Sequence, residues 1–598
     1  MRPSVGWKGT KTEVKPLEAI RASSASAGPV STHSEGGQRG VVTRCLRSGF
    51  GVHRRATRPP HRIAVIVLLF ALSGSQPAVG SDPSQLKQRV QTLNQRVTEL
   101  AGHDNLLETL YFAWSDRPYA RATLAILIKV VATLDREAEC REHGNGKIDD
   151  ATVETMLQWA DGAIQRAIQS LPLDGFRPHR IGTTWRQLLE GRSVPPLIGF
   201  LDGTRLTPKH VAVGDLDVLA SLGQRFYARP LGSRLDGQDA EVTARRAEAL
   251  GMTVFDITPW VNGDAWTCGN HWLLIRPLWR DRGHYVAYTD PSTLPTKEAD
   301  WSRDGSLLPA IHDPKVGESL GASLARRTML RGVMAKTAYA TCRWTPPIVD
   351  AAPQHAQAAI TAALWVQALE GQRLALVDGW RDAHDENEPR AASVFLNPAR
   401  AETIAHTALD LLRFADFVKE FDDTPLLAIA VGGDAFLHET DNPANGQSWS
   451  DWTQPIWNEL LSRQIRFDVI RQEPPGEKPK PPYRWLFRLE QASRPTGGST
   501  LERIERGLAQ LRDHAYRLTA REMDGRIAAD VYVRAGQTQE GKACAAVVNL
   551  ADHSRVLKLR GNPAIGASRD VTSDQQIPEP GQHVEFGPWQ VRLIWPRE

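Results

Sequence analysis

Two rhythms of apolar residues divide the chain into successive regions. Between residues 81 and 191, apolar side chains recur every three or four positions, as on the buried face of a helix. From residue 195 onward, short apolar runs with strand character alternate with amphipathic stretches. Beyond residue 528, only short strand-like segments remain, separated by Gly, Pro, Asn and Asp. The pattern predicts a helical region, then alternating strands and helices, then a β-rich end.

The alternating region predicts an α/β fold. Strands that alternate with helices over about 200 residues favour a parallel sheet with helical crossovers, and we expect a (β/α)8 TIM barrel at residues 195–421. A helical N-terminal region, residues 81–191, precedes it. A small α/β domain with a stiff Pro-rich linker follows at residues 422–482, and a C-terminal β-rich domain, a β-sandwich, at residues 483–598. Residues 1–80 are expected to be an unstructured leader with a signal peptide.

The leader has the pattern of an export signal. Four arginines precede the apolar run at residues 63–72, and the small residues at 78–80 follow it. Ten apolar residues are too few for a comfortable membrane span. We therefore expect a signal peptide at about residues 52–80, with translation starting near Val52, and an exported protein that is periplasmic, extracellular or at the cell surface. An uncleaved anchor is the alternative, and N-terminal sequencing of the native protein would decide between them.

Charge and cysteine content narrow the function classes. Residues 1–80 hold 12 of the 72 basic and 3 of the 69 acidic side chains, so the remaining chain carries 60 basic and 66 acidic residues. The net charge of +3 therefore comes from the leader and gives no argument for nucleic acid. The remaining cysteines form no CxxC pair, and Cys268 with His271 is at most half of a metal site. We expect no metal and no cofactor.

Candidate chemistry is concentrated in residues 371–390. A short apolar run there ends in a group of ionisable and aromatic residues that includes Trp380, Arg381 and Asp382. Catalytic sites of (β/α)8 barrels are built where strands end. Trp380 could stack on a sugar ring and Arg381 could orient a carboxylate. The alternative is a solvated acidic loop after a strand.

Other predicted strand ends carry residues of the same kinds. Asp202 and Asp256 end two of the runs, Trp260 follows shortly after, and Trp344 lies in another run. We expect these four residues to contact substrate. The aromatic-rich residues 266–308 are predicted to form an irregular insertion beside the site.

The order of these modules resembles the clan A glycoside hydrolases, and most closely family-42 β-galactosidase-like proteins. The resemblance covers about residues 195–598, and AAVVNLADHSRVLKLRG followed by GPWQVRLIW carries its C-terminal part. It implies a TIM barrel, a small glutamine-amidotransferase-like α/β domain and a closing β-sandwich. It also implies a carbohydrate substrate and a homo-oligomer.

The resemblance also implies a catalytic pair of carboxylates. In the family the nucleophile follows a Trp-Arg pair, and here Glu388 follows Trp380-Arg381 at a similar distance, with Glu386 and Asp382 as further candidates. The family's acid/base stands in an Asn-Glu pair after the fourth strand, and no such pair occupies that place in this chain. Glu318 is the best-placed substitute, with Asp256 next.

These features predict an exported enzyme that hydrolyses O-glycosidic bonds of oligo- or polysaccharides, because glycosidases act through two carboxylates. The missing Asn-Glu pair leaves an alternative: a catalytically lapsed barrel that binds carbohydrate or serves as a cell-surface scaffold. Neither reading requires a cofactor, a nucleic acid or a membrane span after signal cleavage.

Overall fold

The computed structural model describes residues 82–101, 116–170, 172, 197–202, 213–224, 226–229, 249–250, 252–256, 272–275, 308–312, 339–344, 351–380, 383–384, 393–421, 427–431, 459–460, 462–471, 485–489, 502, 517–562 and 564–597. All of them belong to one compact unit, Gln76–Glu598. The predicted leader and signal peptide lie outside the described residues.

Three helices open the described chain: α1 (Pro83–Ala101), α2 (Pro118–Glu142) and α3 (Asp150–Gln169). They coincide with the helical apolar patterns of the sequence. Apolar residues three or four positions apart form the buried face of α1, at Leu86, Val90, Leu93 and Val97. The side chain of Asp149 begins α3 by accepting a hydrogen bond from the amide of Thr152 at 2.8 Å. Among the helices that the structure describes, none has the length and apolarity to cross a membrane.

A seven-stranded sheet forms the next part. Its strands are β1 (Leu197–Asp202), β2 (Phe226–Arg229), β3 (Thr253–Asp256), β4 (Trp272–Ile275), β5 (Leu308–His312), β6 (Tyr339–Trp344) and β7 (Gln372–Trp380). The strand order is β3-β2-β1-β7-β6-β5-β4. Every neighbouring pair is parallel except β4 and β5, which are antiparallel. The sheet is therefore mainly parallel, and its first and last strands pair at the centre.

In this strand order, neighbours in the sheet are consecutive in sequence except at the β1–β7 pair, as in a barrel. In a closed barrel each strand pairs with the next and the last strand pairs with the first. Here β1 and β7 make that last contact along the whole of β1, from Leu197 opposite Leu374 to Asp202 opposite Trp380. Within the described ranges β3 and β4 are not paired. An eight-stranded closed barrel stays a prediction.

The structure departs from the prediction at β4. This strand lies within residues 266–308, where we expected irregular structure, and it runs against β5. A (β/α)8 barrel contains parallel strands only. The difference arises because the antiparallel direction needs no helical crossover between the two strands.

Helices connect and cover the parallel strands. They are α4 (Val213–Ser221) between β1 and β2, α5 (Ala356–Leu369) before β7, and α6 (Pro398–Arg413) with the short α7 (Ala415–Val418) after it. Single turns of 3-10 helix span Pro353–His355, Val394–Leu396 and Lys419–Phe421. The segment from residue 398 to residue 421 is thus three consecutive helical pieces.

Gly223 ends α4 and brings it against α6. Its φ of +79° is a left-handed conformation that glycine adopts without a steric penalty. A Cβ at this position would lie 2.4 Å from Leu409 Cδ2 on α6. The chain therefore turns at Gly223 because any other residue would both strain the backbone and collide with α6.

A second, smaller parallel sheet follows. It contains β8 (Leu427–Val431), β9 (Asp468–Arg471) and β10 (Trp485–Leu489), in the order β10-β8-β9. Strand β10 comes after the Pro-rich linker at 473–482, in the segment that we assigned to the C-terminal domain. The small α/β sheet therefore extends at least to residue 489.

The C-terminal strands form two antiparallel sheets. The strands are β11 (Arg517–Arg521), β12 (Val531–Gln537), β13 (Ala543–Asn549), β14 (Arg555–Asn562), β15 (Ser568–Asp570), β16 (Gln575–Ile577), β17 (Val584–Phe586) and β18 (Val591–Pro596). One sheet has the order β11-β14-β17 and the other β12-β13-β18-β15-β16. Both contribute to one hydrophobic cluster, for example through Leu557 and Val547.

Candidate active site at the carboxyl edge of the parallel sheet

Parallel strands bring four of the predicted site residues to one edge of the sheet. Asp202, Asp256, Trp344 and Trp380 are the last residues of β1, β3, β6 and β7. These strands all run in the same direction, so their carboxyl ends share an edge. The register places Asp202 directly opposite Trp380. The carboxyl edge of a parallel α/β sheet is where such proteins bind ligands.

Trp380 does not lie open at this edge. Its ring packs on Phe200 with ring centroids 5.1 Å apart and on Phe395 with centroids 4.9 Å apart. Only 2% of the residue is exposed. A stacking platform needs a free ring face, so Trp380 is a core residue that fixes the end of β7. The apolar pattern of β7 did not distinguish a ring at the mouth of the sheet from one beneath it.

Several predicted residues are outside the described chain. They are the catalytic candidates Glu388, Glu318 and Asp382 and the substrate-binding candidates Arg381 and Trp260. The separation between the carboxylates of Glu388 and Glu318 therefore also lies outside the described residues. For Asp202, Asp256 and Trp344 the structure gives the position at the strand end.

The structure shows a contact of His384, which the sequence placed in the ionisable group after the apolar run without assigning it a role. His384, four residues beyond the end of β7, is 2% exposed and its Nε2 lies 2.9 Å from Glu137 Oε2 on α2. Glu137 is fully buried, on the apolar face of α2 between Leu134 and Ala138. A charged residue within an apolar stripe is the sequence signal that could have indicated a buried partner.

Further donors surround the carboxylate of Glu137. Arg141 Nε lies 2.8 Å from Oε1, and the amide of Lys147 lies 3.0 Å from each oxygen. Burial opposes ionisation, but the hydrogen bonds from His384, Arg141 and the amides of Lys147 and Ile148 outweigh it and lower the pKa of Glu137 to about 2. Glu137 is therefore an ionised anchor at neutral pH, saturated with donors, and not a carboxylate that could attack a substrate.

A second buried carboxylate joins the helical region to α6. Glu402 accepts hydrogen bonds from Thr123 Oγ1 at 2.7 Å, Trp159 Nε1 at 3.0 Å and Arg166 Nη2 at 2.6 Å. Burial raises its pKa, but Arg166, His406 and Thr123 reverse the shift, and the net pKa is lowered. Because donors from α2 and α3 occupy both oxygens, Glu402 is structural.

His406 and Asp410 continue this contact along α6. His406 Nε2 lies 3.1 Å from Thr123 Oγ1 and 3.2 Å from the carbonyl oxygen of Tyr119, and burial lowers the pKa of His406. The hydroxyl of Tyr119 donates to Asp410 Oδ1. Burial raises the pKa of Asp410 to about 6, although the Tyr119 hydrogen bond and Arg413 act in the opposite direction. These groups bind α2 and α6 to each other.

Within the described residues, no group of three or more His, Cys, Asp and Glu side chains is arranged as a metal site.

Comparison with known proteins gives weak similarities only. No protein-family model matches the chain, and no curated protein matches it closely enough to count as a relative. The apo exo-carrageenase GH42 from Bacteroides ovatus is 10% identical, with a TM-score of 0.32 over 86% of this chain and 99% of that chain. The polyextremophilic β-galactosidase from the Antarctic haloarchaeon Halorubrum lacusprofundi is 9% identical, with a TM-score of 0.33 over 67% and 99%. At such low TM-scores these likenesses carry no conclusion about fold or chemistry.

Proposed function

We propose that this chain is a glycoside hydrolase whose active site lies at the carboxyl edge of the seven-stranded sheet. The observation that carries the proposal is the shared direction of β1, β3, β6 and β7, which gathers the ends of these four strands at one edge. Two of the strand ends are carboxylate residues, Asp202 and Asp256. A glycosidase needs such carboxylates on both sides of the scissile bond.

The proposed fold around this site is a closed, mainly parallel α/β barrel in which β4 is antiparallel to β5. The pairing of β1 with β7 and the sequential pairing on either side support it. The two antiparallel sheets at the C-terminus, which share a hydrophobic cluster, support a closing β-sandwich. In this arrangement the helical region and the C-terminal sheets both pack on the outside of the barrel.

The proposed chemistry uses Glu388 as the nucleophile and Glu318 as the acid/base. The ionised nucleophile attacks the anomeric carbon while the protonated acid gives its proton to the leaving oxygen, and water then hydrolyses the glycosyl-enzyme. Asp382 and Asp256 are the next candidates for these two roles. Arg381, Asp202, Trp260 and Trp344 are proposed to bind the sugar.

The test is hydrolysis of a panel of aryl glycosides, including β-galactosides, by the purified full chain. We expect Glu388→Gln and Glu318→Gln to lower kcat by at least about a thousandfold, since each removes a group needed in the transition state. Glu585→Gln is the matched control, because Glu585 is exposed on β17, which belongs to a C-terminal antiparallel sheet and not to the seven-stranded sheet. Its kinetics should equal those of the wild type.

Two other results would change the conclusion. If the wild-type chain hydrolyses no glycoside but binds oligosaccharide in calorimetry, the lapsed, carbohydrate-binding barrel replaces the enzyme. If activity is present and both Glu variants retain it, the assignment of the carboxylates is wrong. Export with removal of residues 52–80 is also proposed, and the N-terminal sequence of the native protein tests it.

A further inference from the structure

Two contacts hold the end of β7 and the chain just beyond it: aromatic packing at Trp380 and a hydrogen bond to a buried carboxylate at His384. Trp380 fastens the end of the strand by packing between Phe200 and Phe395. Four residues later, His384 is tied to a helix that precedes the sheet in the sequence, through the 2.9 Å contact between its Nε2 and Glu137 Oε2. The first anchor belongs to the sheet and the second to the helical region.

The second anchor has two parts. Besides the imidazole contact, Lys147 Nζ donates to the backbone carbonyl oxygen of His384 at 3.3 Å. The backbone amide of the same Lys147 donates to Glu137. Lys147 therefore contacts both members of the Glu137–His384 pair: Glu137 through its amide and His384 through its side chain. His384 is thus restrained through its ring and through its main chain.

Arg141 holds the side chain of Glu137 and the turn after α2 in place. Arg141 lies one helical turn after Glu137 and contacts it at 2.8 Å, and its Nη2 donates to the carbonyl oxygen of Ile148 at 2.6 Å. This fixes the turn between α2 and α3 that carries Lys147. A carboxylate that is buried, ionised and held by several donors has little freedom to move.

We propose that Glu137, acting through His384, is a positioning residue for the active-site edge of the sheet, and that the helical region is a working part of the site. The inference rests on the proposed function for its catalytic meaning. The Glu137–His384 pair fixes the main chain where it leaves β7, the strand whose end lies opposite Asp202.

Fixing the main chain that follows β7 matters because catalytic groups must be held within a fraction of an ångström of their productive position. A small misplacement can lower the rate a hundredfold. Sites mounted on helices and strands hold their geometry better than sites on loops. The contact with Glu137 attaches His384, which follows β7, to helix α2.

Hydrogen exchange of peptides that cover residues 375–384 tests the anchor without any substrate. We expect Glu137→Gln to accelerate exchange there at least about tenfold. The substitution replaces charge-assisted hydrogen bonds to Glu137 by neutral ones, which are about half as strong. Glu142→Gln is the matched control on the same helix, since Glu142 pairs with Lys87 in a partly exposed contact. Unchanged exchange in Glu137→Gln would overturn the proposal.

Lys147→Met gives a second, milder test if Glu137→Gln fails to fold. It removes the contact to the His384 carbonyl oxygen and keeps the Lys147 amide that binds Glu137. We expect faster exchange over the same peptides, by at least about threefold if the contact has the strength of an ordinary hydrogen bond. No change in this variant would contradict the second part of the anchor.

Kinetics on an active glycoside separate positioning from mere stability. We expect Glu137→Gln to lower kcat at least about tenfold with KM within about twofold of the wild type, measured well below the unfolding temperature, because misplacement acts on the transition state. Glu137→Asp, which keeps the charge, should recover part of the loss. Faster exchange with unchanged kcat would overturn the positioning role. A wild-type chain without hydrolytic activity would refute the proposed function, while the exchange experiment still decides whether Glu137 holds His384.

Discussion

The carboxylate of Glu402 and the guanidinium of Arg166 meet at 2.6 Å where α6 packs against α3. The guanidinium also lies 5.8 Å from the centre of the Trp159 ring, and the Trp159 indole donates to the same carboxylate. Thr123 on α2 also donates to it, so one acidic residue of α6 binds two helices of the N-terminal region. This contact joins the helical region to α6, and the buried Glu137–His384 pair joins it to the chain that follows β7.

Glu402→Gln should lower the free energy of unfolding by about 1–3 kcal/mol, because the Trp159 indole and the Thr123 hydroxyl lose a charged partner at a buried position, while the Arg166 side chain is about half exposed. Urea unfolding followed by circular dichroism measures it. Glu154→Gln on α3 is the control, since Glu154 pairs with Arg89 at 3.2 Å with both side chains about one-quarter exposed. A control loss of about 0–1 kcal/mol is expected. Equal losses in the two variants would contradict the structural role of Glu402.

Asp410 should make part of the stability depend on pH. Burial raises its pKa from 3.8 to about 6, so the folded protein holds this proton more tightly than the unfolded chain. Its stabilising contribution is full below pH 3.8 and is lost as pH rises through about 6. Relative to Asp410→Asn, the wild type should lose up to about 3 kcal/mol between these limits. A difference that stays constant from pH 4 to pH 7 would show that Asp410 ionises normally.

Trp380→Ala should destabilise the fold rather than only weaken sugar binding. Removing a buried indole between two aromatic rings costs about 3–5 kcal/mol, through lost burial and the cavity that remains. Trp380→Phe keeps a ring at this position and should cost less than half as much. Thermal unfolding of the two variants measures the difference. Normal stability of Trp380→Ala with a large loss of oligosaccharide affinity would restore Trp380 as a stacking platform.

Tyr532→Phe should weaken the attachment of the C-terminal sheets. The Tyr532 hydroxyl donates to Glu370 Oε1 at 2.6 Å, where α5 ends, and Arg534 Nε donates to the carbonyl oxygen of Phe421 at 2.7 Å beside it. A hydrogen bond to a charged group is worth about 1.5–3 kcal/mol, and we expect a loss of this size in urea unfolding. If Glu370→Gln and Tyr532→Phe prove additive in the double variant, the two side chains do not interact as described.

Periodicity predicted much of the fold because it reports burial directly. The three-residue and four-residue spacing around Val90 and Val153 shows which face of each helix is buried, and both are fully buried in the structure. The apolar run that ends at Trp380 likewise predicted β7. Periodicity did not reveal that β4 runs against β5, since the direction of a short strand depends on where its connection leads. Periodicity also did not predict that β1 pairs with β7.

The candidate site was less predictable because it depends on contacts between distant residues. Glu137 and His384 are 247 positions apart, and nothing in either local pattern names the other. Trp380 was predicted to face a ligand because aromatic residues at strand ends often do, yet Phe200 and Phe395 cover its ring. The strand-end positions of Asp202 and Asp256 could be predicted, because a strand that is buried must stop where the polar residues begin.

The pairing of β1 with β7 has a consequence for how the protein is made. Leu197 pairs with Leu374, so β1 leaves the ribosome long before its central partner exists. Until then one edge of β1 presents unpaired backbone groups that another chain could pair with. Contacts so distant in sequence also form slowly, because a long loop must close first. We expect the nascent chain to depend on holding chaperones until about residue 380 has emerged.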